Sequence, residues 1–189
     1  MFINISNKLS NEFKKYSIEA IERGASKKKI YRLRHSNKKF ILTDFCLNKE
    51  EYRNHLKIYN LLKNINISVP KIIEKYDNNL MIISEDFGDL RFDKILQKYP
   101  LNDLLHYAVD TLIILNNSIQ YDPKISLPQY NFDIFKEEIL ELPKYYFPYV
   151  KFNNKNLNDE FIYIWSEAYR KIKFEFNHLS HKDFNINNL

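Results

Sequence analysis

The stretch Ser180-His181-Lys182-Asp183-Phe184-Asn185-Ile186-Asn187-Asn188-Leu189 is the part of the chain from which its fold is best inferred. Asp183 is followed five residues later by Asn188, so one loop can bring a carboxylate and an amide oxygen together. Such a pair can hold a hydroxyl group and a metal ion side by side. The same residues are also typical of an Asx-rich turn that closes a helix, so the features upstream must decide between the two.

The composition predicts a folded chain with one core or two small lobes. The sequence has 189 residues, of which 44% are hydrophobic and 15% aromatic, and this excludes a disordered protein. No apolar run is long enough to cross a bilayer, and the first residues lack the parts of a signal peptide. The single Cys46 fits a reducing compartment. We therefore expect a cytoplasmic protein with no membrane partner.

The net charge allows more than one class of ligand, and the scarce glycines mark positions of special backbone conformation. A formal charge of +5 suits a nucleic acid, but it equally suits a site that attracts a polyphosphate. Only two glycines occur, Gly24 and Gly88, and each is expected where a side chain or a negative φ would not fit.

Hydrophobic spacing predicts the order helix, two strands, helix, two strands in the first part of the chain. The predicted elements are a helix over residues 10–23, strands over 29–34 and 39–43, a helix over 48–64 capped by Asn48, and strands over 71–76 and 80–85. The rest is predicted to be helical, with helices over 91–98, from 101 onward, over 132–142 and over 159–176. The helix that begins at Leu101 is apolar nearly all round and is expected to be buried.

A basic hairpin follows the first glycine. Gly24, Ala25 and Ser26 are small enough for a close approach of the backbone to a ligand, and three lysines come directly after them. Small residues beside clustered cations suit a phosphate group. A solvated basic turn would have the same composition.

Four motifs, in this order, resemble the aminoglycoside phosphotransferase family, a small-molecule branch of the protein-kinase-like fold. The resemblance is strongest to its bacterial cell-wall-recycling sugar kinases. The motifs are Gly24-Ala25-Ser26-x-Lys28-x-x-Tyr31-Arg32, Val69-Pro70, Glu85-Asp86-Phe87-Gly88-Asp89 and His181-x-Asp183-x-x-x-x-Asn188-Leu189. Asp86-Phe87-Gly88 precedes the catalytic loop of this family, so it is not the metal-binding D-F-G motif of protein kinases.

The resemblance implies an α+β, two-lobed fold that binds ATP and Mg²⁺. It implies an antiparallel-sheet lobe over 1–85, a hinge over 86–90 and a partial helical lobe over 91–189. The residues implied in ATP binding are Gly24, Ala25, Ser26, Lys28, Lys29 and Arg32 at the phosphates, with Glu85 and Phe87 in the hinge that holds adenine. Asp183 would orient the acceptor hydroxyl and take its proton, and Asn188 would hold the magnesium ion.

Three departures from the family pattern affect the expected activity. The glycine-rich loop is reduced to Gly24. The strand Phe40-Ile41-Leu42-Thr43 has no Lys at its end, so Lys28, Lys29 or Arg32 would have to supply the cation, and Glu51 is interpreted as a solvated charge. The sequence also stops before a second metal-binding Asp. We therefore expect these 189 residues to be incomplete and inactive alone.

Three functions remain open at this point. The first is an ATP-dependent phosphotransferase that acts on a hydroxyl group of a sugar or an aminoglycoside-like compound. The second is a non-catalytic nucleotide-binding protein of the same fold, and the third is a basic RNA-binding module. The third ranks last because no RNA-binding motif is present, so no nucleic-acid partner is expected. The oligomeric state is not predicted.

Overall fold

The computed structural model describes residues 10–21, 27–118, 127, 129–151, 155–173, 179–186 and 188–189. The chain divides into two compact units, one comprising Met1–Ser118 and Ser180–Leu189 and the other comprising Ile119–Leu179. The loop that contains Asp183 thus belongs to the same unit as the first half of the chain. The expected lobes over 1–85 and 91–189, with a hinge over 86–90, stay a prediction.

The first unit is built on a five-stranded antiparallel sheet with the order β1-β2-β3-β5-β4. The strands are β1 (Ser17–Ile21), β2 (Lys29–His35), β3 (Lys38–Asp44), β4 (Ile72–Tyr76) and β5 (Met81–Glu85). The helices of this unit are α1 (Ser10–Phe13), α2 (Lys49–Asn64), α3 (Phe92–Ile95) and α4 (Leu101–Ser118). The expected α+β class, with a small antiparallel sheet followed by helices, is confirmed.

The helix predicted over residues 10–23 is wrong. Among the described residues of this range, 10–21, only α1 is helical, and β1 follows it as an edge strand paired with β2 in the register Ile18 to Leu33 and Ala20 to Tyr31. The apolar spacing of this segment fits a helix, but pairing with β2 and packing on its buried residues outweigh that local preference. The sheet therefore has one strand more than the sequence predicts.

Alternation along the strands produces two different faces. The first face forms a core with Phe13 of α1, and its buried members are Phe13, Tyr31, Leu33, Leu42, Met81 and Ile83. The second face carries Ile30, Arg32, Ile41, Thr43 and Ile82, because successive side chains of a strand point to opposite sides. A second core of Phe45, Tyr52, Leu80 and Ile82 joins this second face to α2. We call the second face of the sheet the α2 face.

Helix α2 begins where its cap predicts. Asn48 Oδ1 accepts a hydrogen bond from the backbone N–H of Glu51 at 3.1 Å, as the sequence indicated. The Tyr52 hydroxyl donates to Asp77 Oδ1 at 2.5 Å in the turn between β4 and β5. These contacts fix the first turns of α2 on the α2 face of the sheet.

Helix α4 is less buried than expected. Leu104, Ala108 and Leu115 are buried, whereas Leu105 and Ile113 are among several apolar side chains that remain exposed. The expectation that this helix is buried nearly all round is therefore wrong. Near α3, the predicted helix over 91–98 is reduced to the single turn Phe92–Ile95.

The second unit is helical. It contains α5 (Phe132–Glu141), a π-helical stretch (Leu142–Tyr146), α6 (Phe147–Tyr149) and α7 (Lys155–Lys171). Helices α5 and α7 pack through aromatic rings, with 4.9 Å between the ring centroids of Phe135 and Tyr169. Helix α7 begins and ends earlier than the predicted range 159–176. Within the described residues, no helix combines the length and apolar character needed to span a bilayer.

Candidate functional site

The Asp183 carboxylate and the Asn188 amide are in contact. Asn188 Nδ2 donates to Asp183 Oδ2 at 2.7 Å and to the Asp183 carbonyl oxygen at 3.0 Å. Asn185 Nδ2 donates to the other carboxylate oxygen at 2.6 Å. The side chain of Asp183 is nevertheless exposed, so a ligand can reach it. The loop thus joins the two residues that the sequence singled out.

Backbone hydrogen bonds attach this loop to α3. The N–H of Phe92 donates to the Leu189 carbonyl at 2.8 Å, and the N–H of Asp93 donates to the Ile186 carbonyl at 3.2 Å. The first amides of a helix have no partner inside that helix, and here the loop supplies their acceptors. The position of Asp183 is therefore fixed relative to the segment that follows β5.

The residue before Asp183 has an uncommon backbone conformation. Lys182 has a φ of 66°, in the left-handed region that side chains disfavour. Such a conformation costs on the order of 1–3 kcal/mol and is concentrated at functional sites. The His181 ring packs edge-on against Phe184, with 5.4 Å between ring centroids. Packing on one side of Asp183 and amide contacts on the other hold the carboxylate in a defined place.

The atoms available in this loop suit magnesium better than a softer metal. Mg²⁺ prefers oxygen ligands, and it is commonly held by one or two protein groups together with phosphate oxygens and water. Asn188 directs its Nδ2 to Asp183, so Oδ1 is the atom with which it would bind a cation. In the portion of the chain that the structure describes, no group of three or more His, Cys, Asp or Glu side chains could hold a metal ion. A magnesium ion at this loop would therefore depend on phosphate for further ligands.

The basic hairpin is only partly described. Gly24, Ala25 and Ser26 lie outside the described residues, so their expected role stays a prediction. Lys28 Nζ lies 3.9 Å from Glu51 Oε1, with both side chains about one-third exposed. Glu51 lies in the first turn of α2 and is one-third exposed, in line with its interpretation as a solvated first-turn charge, but it also forms this ion pair with Lys28, which directly precedes β2. Lys29 is exposed at the start of β2, opposite Asp44 of β3.

Arg32 contacts two carboxylates. Its Nε donates to Asp86 Oδ2 at 2.7 Å and its Nη2 donates to Asp89 Oδ1 at 3.1 Å. The Arg32 side chain is 13% exposed, and those of Asp86 and Asp89 are 2% and 81% exposed. The hydrogen bond from Arg32, followed by the charge of its guanidinium, holds the pKa of the Asp89 carboxyl below its usual value. The role of Arg32 at ATP phosphates stays a prediction, but its charge is balanced within the protein.

The segment after β5 has the turn geometry that its glycine indicated. Gly88 has a φ of 76°, and its N–H donates to Asp86 Oδ1 at 2.8 Å. Phe87 is 46% exposed, and the Glu85 N–H donates to the Lys71 carbonyl at 2.9 Å. The requirement for a positive φ at Gly88 is confirmed. Adenine binding by Glu85 and Phe87 stays a prediction.

The sequence interpretation missed Asp86 as the partner of Arg32. A usable signal was present, because Arg32 lies in a strand between residues with buried side chains and a guanidinium there needs a carboxylate. Asp86 and Asp89 follow β5, which β3 separates from β2 in the sheet. Their spacing from Arg32 in the sequence gave no indication of the pairing.

Comparison with known proteins adds no assignment. No protein-family model matches this chain, and no curated protein matches it at a significant level. The loop that carries Asp183 and the α2 face of the sheet are the features of the described residues that bear on function.

Proposed function

We propose that this chain is a phosphotransferase that moves the γ-phosphate of ATP to a hydroxyl group of a small molecule, a sugar or an aminoglycoside-like compound. The observation that carries the proposal is the contact between Asp183 and Asn188 in one loop, at 2.7 Å. Phosphoryl transfer needs a carboxylate at the acceptor and an oxygen ligand for magnesium close to each other, and this loop offers both.

In the proposed reaction Asp183 accepts a hydrogen bond from the acceptor hydroxyl and orients its oxygen toward the γ-phosphorus. The bond from that oxygen to phosphorus forms while the bond from phosphorus to the β,γ-bridging oxygen breaks, and ADP leaves. Asp183 takes the hydroxyl proton late in the transfer and returns it to water. Asn188 would hold magnesium through Oδ1, and a magnesium ion bound there would neutralise phosphate charge.

The arrangement of the first unit also supports the proposal. Kinases place a helix with a conserved acidic partner directly after the third strand of their sheet, and here α2 follows β3 and carries Glu51. The connection after β5 is short and leads into helices. We propose the protein-kinase-like fold on this basis, and with it the family resemblance drawn from the motifs.

A non-catalytic nucleotide-binding protein of the same fold is the second candidate. Thr43 occupies the position of the lysine in the V-A-I-K motif. Threonine carries no charge and is 9% exposed here, so this position of β3 offers no cation to a phosphate. Without a cation at this position the protein would bind the ATP phosphates more weakly and orient them less well. Such a protein could bind the nucleotide without transferring phosphate efficiently. The two candidates differ in turnover and agree in ATP binding.

The test combines binding with transfer. We expect a fluorescent ATP analogue to bind the 189-residue chain more tightly with magnesium than without it. In any form of the protein that transfers phosphate from radiolabelled ATP to a panel of sugars and aminoglycosides, Asp183→Asn should lower turnover at least roughly a hundredfold. The same variant should change ATP affinity less than about threefold, because the carboxylate acts on the acceptor.

The outcomes separate the candidates. Absence of ATP binding by the chain would contradict both. Binding together with turnover that is unaffected by Asp183→Asn would contradict the assignment of the loop. Binding of ATP without transfer to any compound of the panel would favour the non-catalytic candidate.

A further inference from the structure

Lys28 and Lys29 are neighbours in sequence but belong to opposite sides of the sheet. Strand alternation places Lys29 on the same side as Tyr31 and Leu33, which form the core with α1. Lys28 directly precedes β2, and its ion pair with Glu51 of α2 places its ammonium group on the side of the α2 face. The two lysines cannot serve the same ligand equally.

Lys28 is also held by helix α2. Its ammonium group forms the 3.9 Å ion pair with Glu51 in the first turn of that helix. One turn further along, His55 lies with its ring 5.3 Å from that of Phe45, and desolvation, together with the positive charge of Lys28, lowers its pKa. Both observations place the Lys28 ammonium group beside the first turns of α2.

Lys28 lies close to Thr43, the position of β3 at which kinases have their phosphate-binding lysine. Ile30 is paired directly with Thr43, and Lys28 lies two residues before Ile30. Diagonal neighbours within a strand pair are roughly 7–8 Å apart at their backbones, and Lys28 lies one residue before the start of β2, so the long side chain of a lysine can cover a distance of this order. An ammonium group on Lys28 can therefore reach the space above Thr43.

The other cations suggested by the sequence are placed less well. Arg32 lies on the α2 face, but its guanidinium is bound to Asp86 and Asp89. Lys29 lies on the α1 side, opposite Asp44. Of these three cations, Lys28 is the one that α2 orients, so it is best placed to bind a phosphate on the α2 face.

We propose that Lys28, oriented by Glu51, is the lysine that binds the phosphates of ATP, so that the residue directly before the second strand takes the role that a lysine of the third strand has in kinases. This inference rests on the proposed function, since it assumes an ATP site on the α2 face. Glu51 acts here as a positioning residue through Lys28. Arg32 has a structural role, in which it fastens the segment after β5 to β2.

Nucleotide titration without magnesium tests the inference by binding alone. Lys28→Met keeps the apolar stem and removes the charge, and it should weaken ATP binding roughly ten- to hundredfold, as the loss of a charge-assisted hydrogen bond predicts. Binding of adenosine, which has no phosphate, should change by less than about twofold. Lys29→Met removes the same charge from the other side of the sheet and decides between the two lysines that the family resemblance implies at the phosphates: assignment to Lys28 requires a change of less than about threefold in Lys29→Met.

Glu51→Gln tests the positioning role. We expect it to weaken ATP binding about threefold to tenfold in the otherwise unchanged chain and to have no further effect when Lys28→Met is present, because Glu51 acts only through Lys28. Lys28→Arg should recover part of the affinity. A purely structural role of Glu51 would weaken binding equally in both backgrounds.

The possible results are distinct. If the unchanged chain does not bind ATP, the proposed function fails and this inference fails with it. If the chain binds ATP but Lys28→Met binds as tightly, or if Lys29→Met loses as much affinity as Lys28→Met, the proposed function survives and the assignment of Lys28 is overturned. Circular dichroism of each variant shows that the fold is retained, and tenfold weaker ATP binding by folded Lys28→Met with unchanged adenosine binding supports the proposal.

Discussion

The ion pair between Arg32 and Asp86 should be a major source of stability for the first unit, and Asp86→Ala tests this. The Asp86 side chain is 2% exposed and accepts hydrogen bonds from Arg32 Nε at 2.7 Å and from the Gly88 N–H at 2.8 Å. Replacement by alanine leaves a guanidinium that is only 13% exposed without its buried partner.

The expected loss follows from that burial. Removing one partner of a buried pair costs about 3–5 kcal/mol, since the remaining charge is left uncompensated. Arg32 retains its contact with Asp89, which is 81% exposed and hydrated. We therefore expect the lower end, a decrease of about 3 kcal/mol in the free energy of unfolding. Asp89→Ala removes an exposed partner of the same arginine and should cost at most about 1 kcal/mol.

The assay must report on the first unit alone. Amide hydrogen exchange of Leu33 and Leu42, in the centre of the sheet, measures the opening of that unit, whereas fluorescence of Trp165 reports on the other. Protection of both amides should fall roughly a hundredfold in Asp86→Ala and less than about tenfold in Asp89→Ala. Equal losses in the two variants, or a loss below about 1 kcal/mol in Asp86→Ala, would refute the argument from burial.

Two further predictions concern the core around the sheet. Burial, and to a lesser extent the hydrogen bond to Asp77, raises the pKa of Tyr52 from 10.0 to about 12. The hydroxyl therefore ionises at a lower pH in the unfolded chain than in the folded one, and the free energy of unfolding should fall as the pH rises from 10 toward 12. Tyr52→Phe should reduce that alkaline loss, as measured by urea unfolding at several pH values, and an unchanged slope would contradict the assignment. Leu42→Ala should lower the free energy of unfolding by about 2–5 kcal/mol, because the side chain is 0% exposed in the first core. Hydrogen exchange at Leu33 would measure it, and a loss below about 1 kcal/mol would show that the core can close around the gap.

The sequence predicted the local elements of the sheet well because their signals are local. The strands β2 and β3, the helix α2 with its cap Asn48 and the strands β4 and β5 were found to within about a residue, since alternation and capping depend on near neighbours. Strand β1 was missed because its pairing with β2 is what makes it a strand. The exposed side chains of α4 were missed because an apolar helix does not specify what covers it.

The candidate site divides in the same way. The contact between Asp183 and Asn188 could be anticipated because both lie in one short loop. The pairing of Arg32 with Asp86, and of Lys28 with Glu51, joins residues that are distant in sequence. It depends on how the fold places β2 relative to the segment after β5 and to α2. Spacing along the chain does not encode those distances.

The attachment of the Asp183 loop to α3 has a consequence for how the protein folds. The hydrogen bond from Phe92 to Leu189 closes a loop of about one hundred residues, and the entropy of that closure is on the order of 4 kcal/mol beyond a constant term. Such long-range contacts form slowly compared with the hairpins and helices. The site should therefore assemble last, when the Asp183 loop joins α3 beside a sheet that is already formed. Refolding should recover the hydrogen-exchange protection of the sheet before it recovers any property that depends on Asp183.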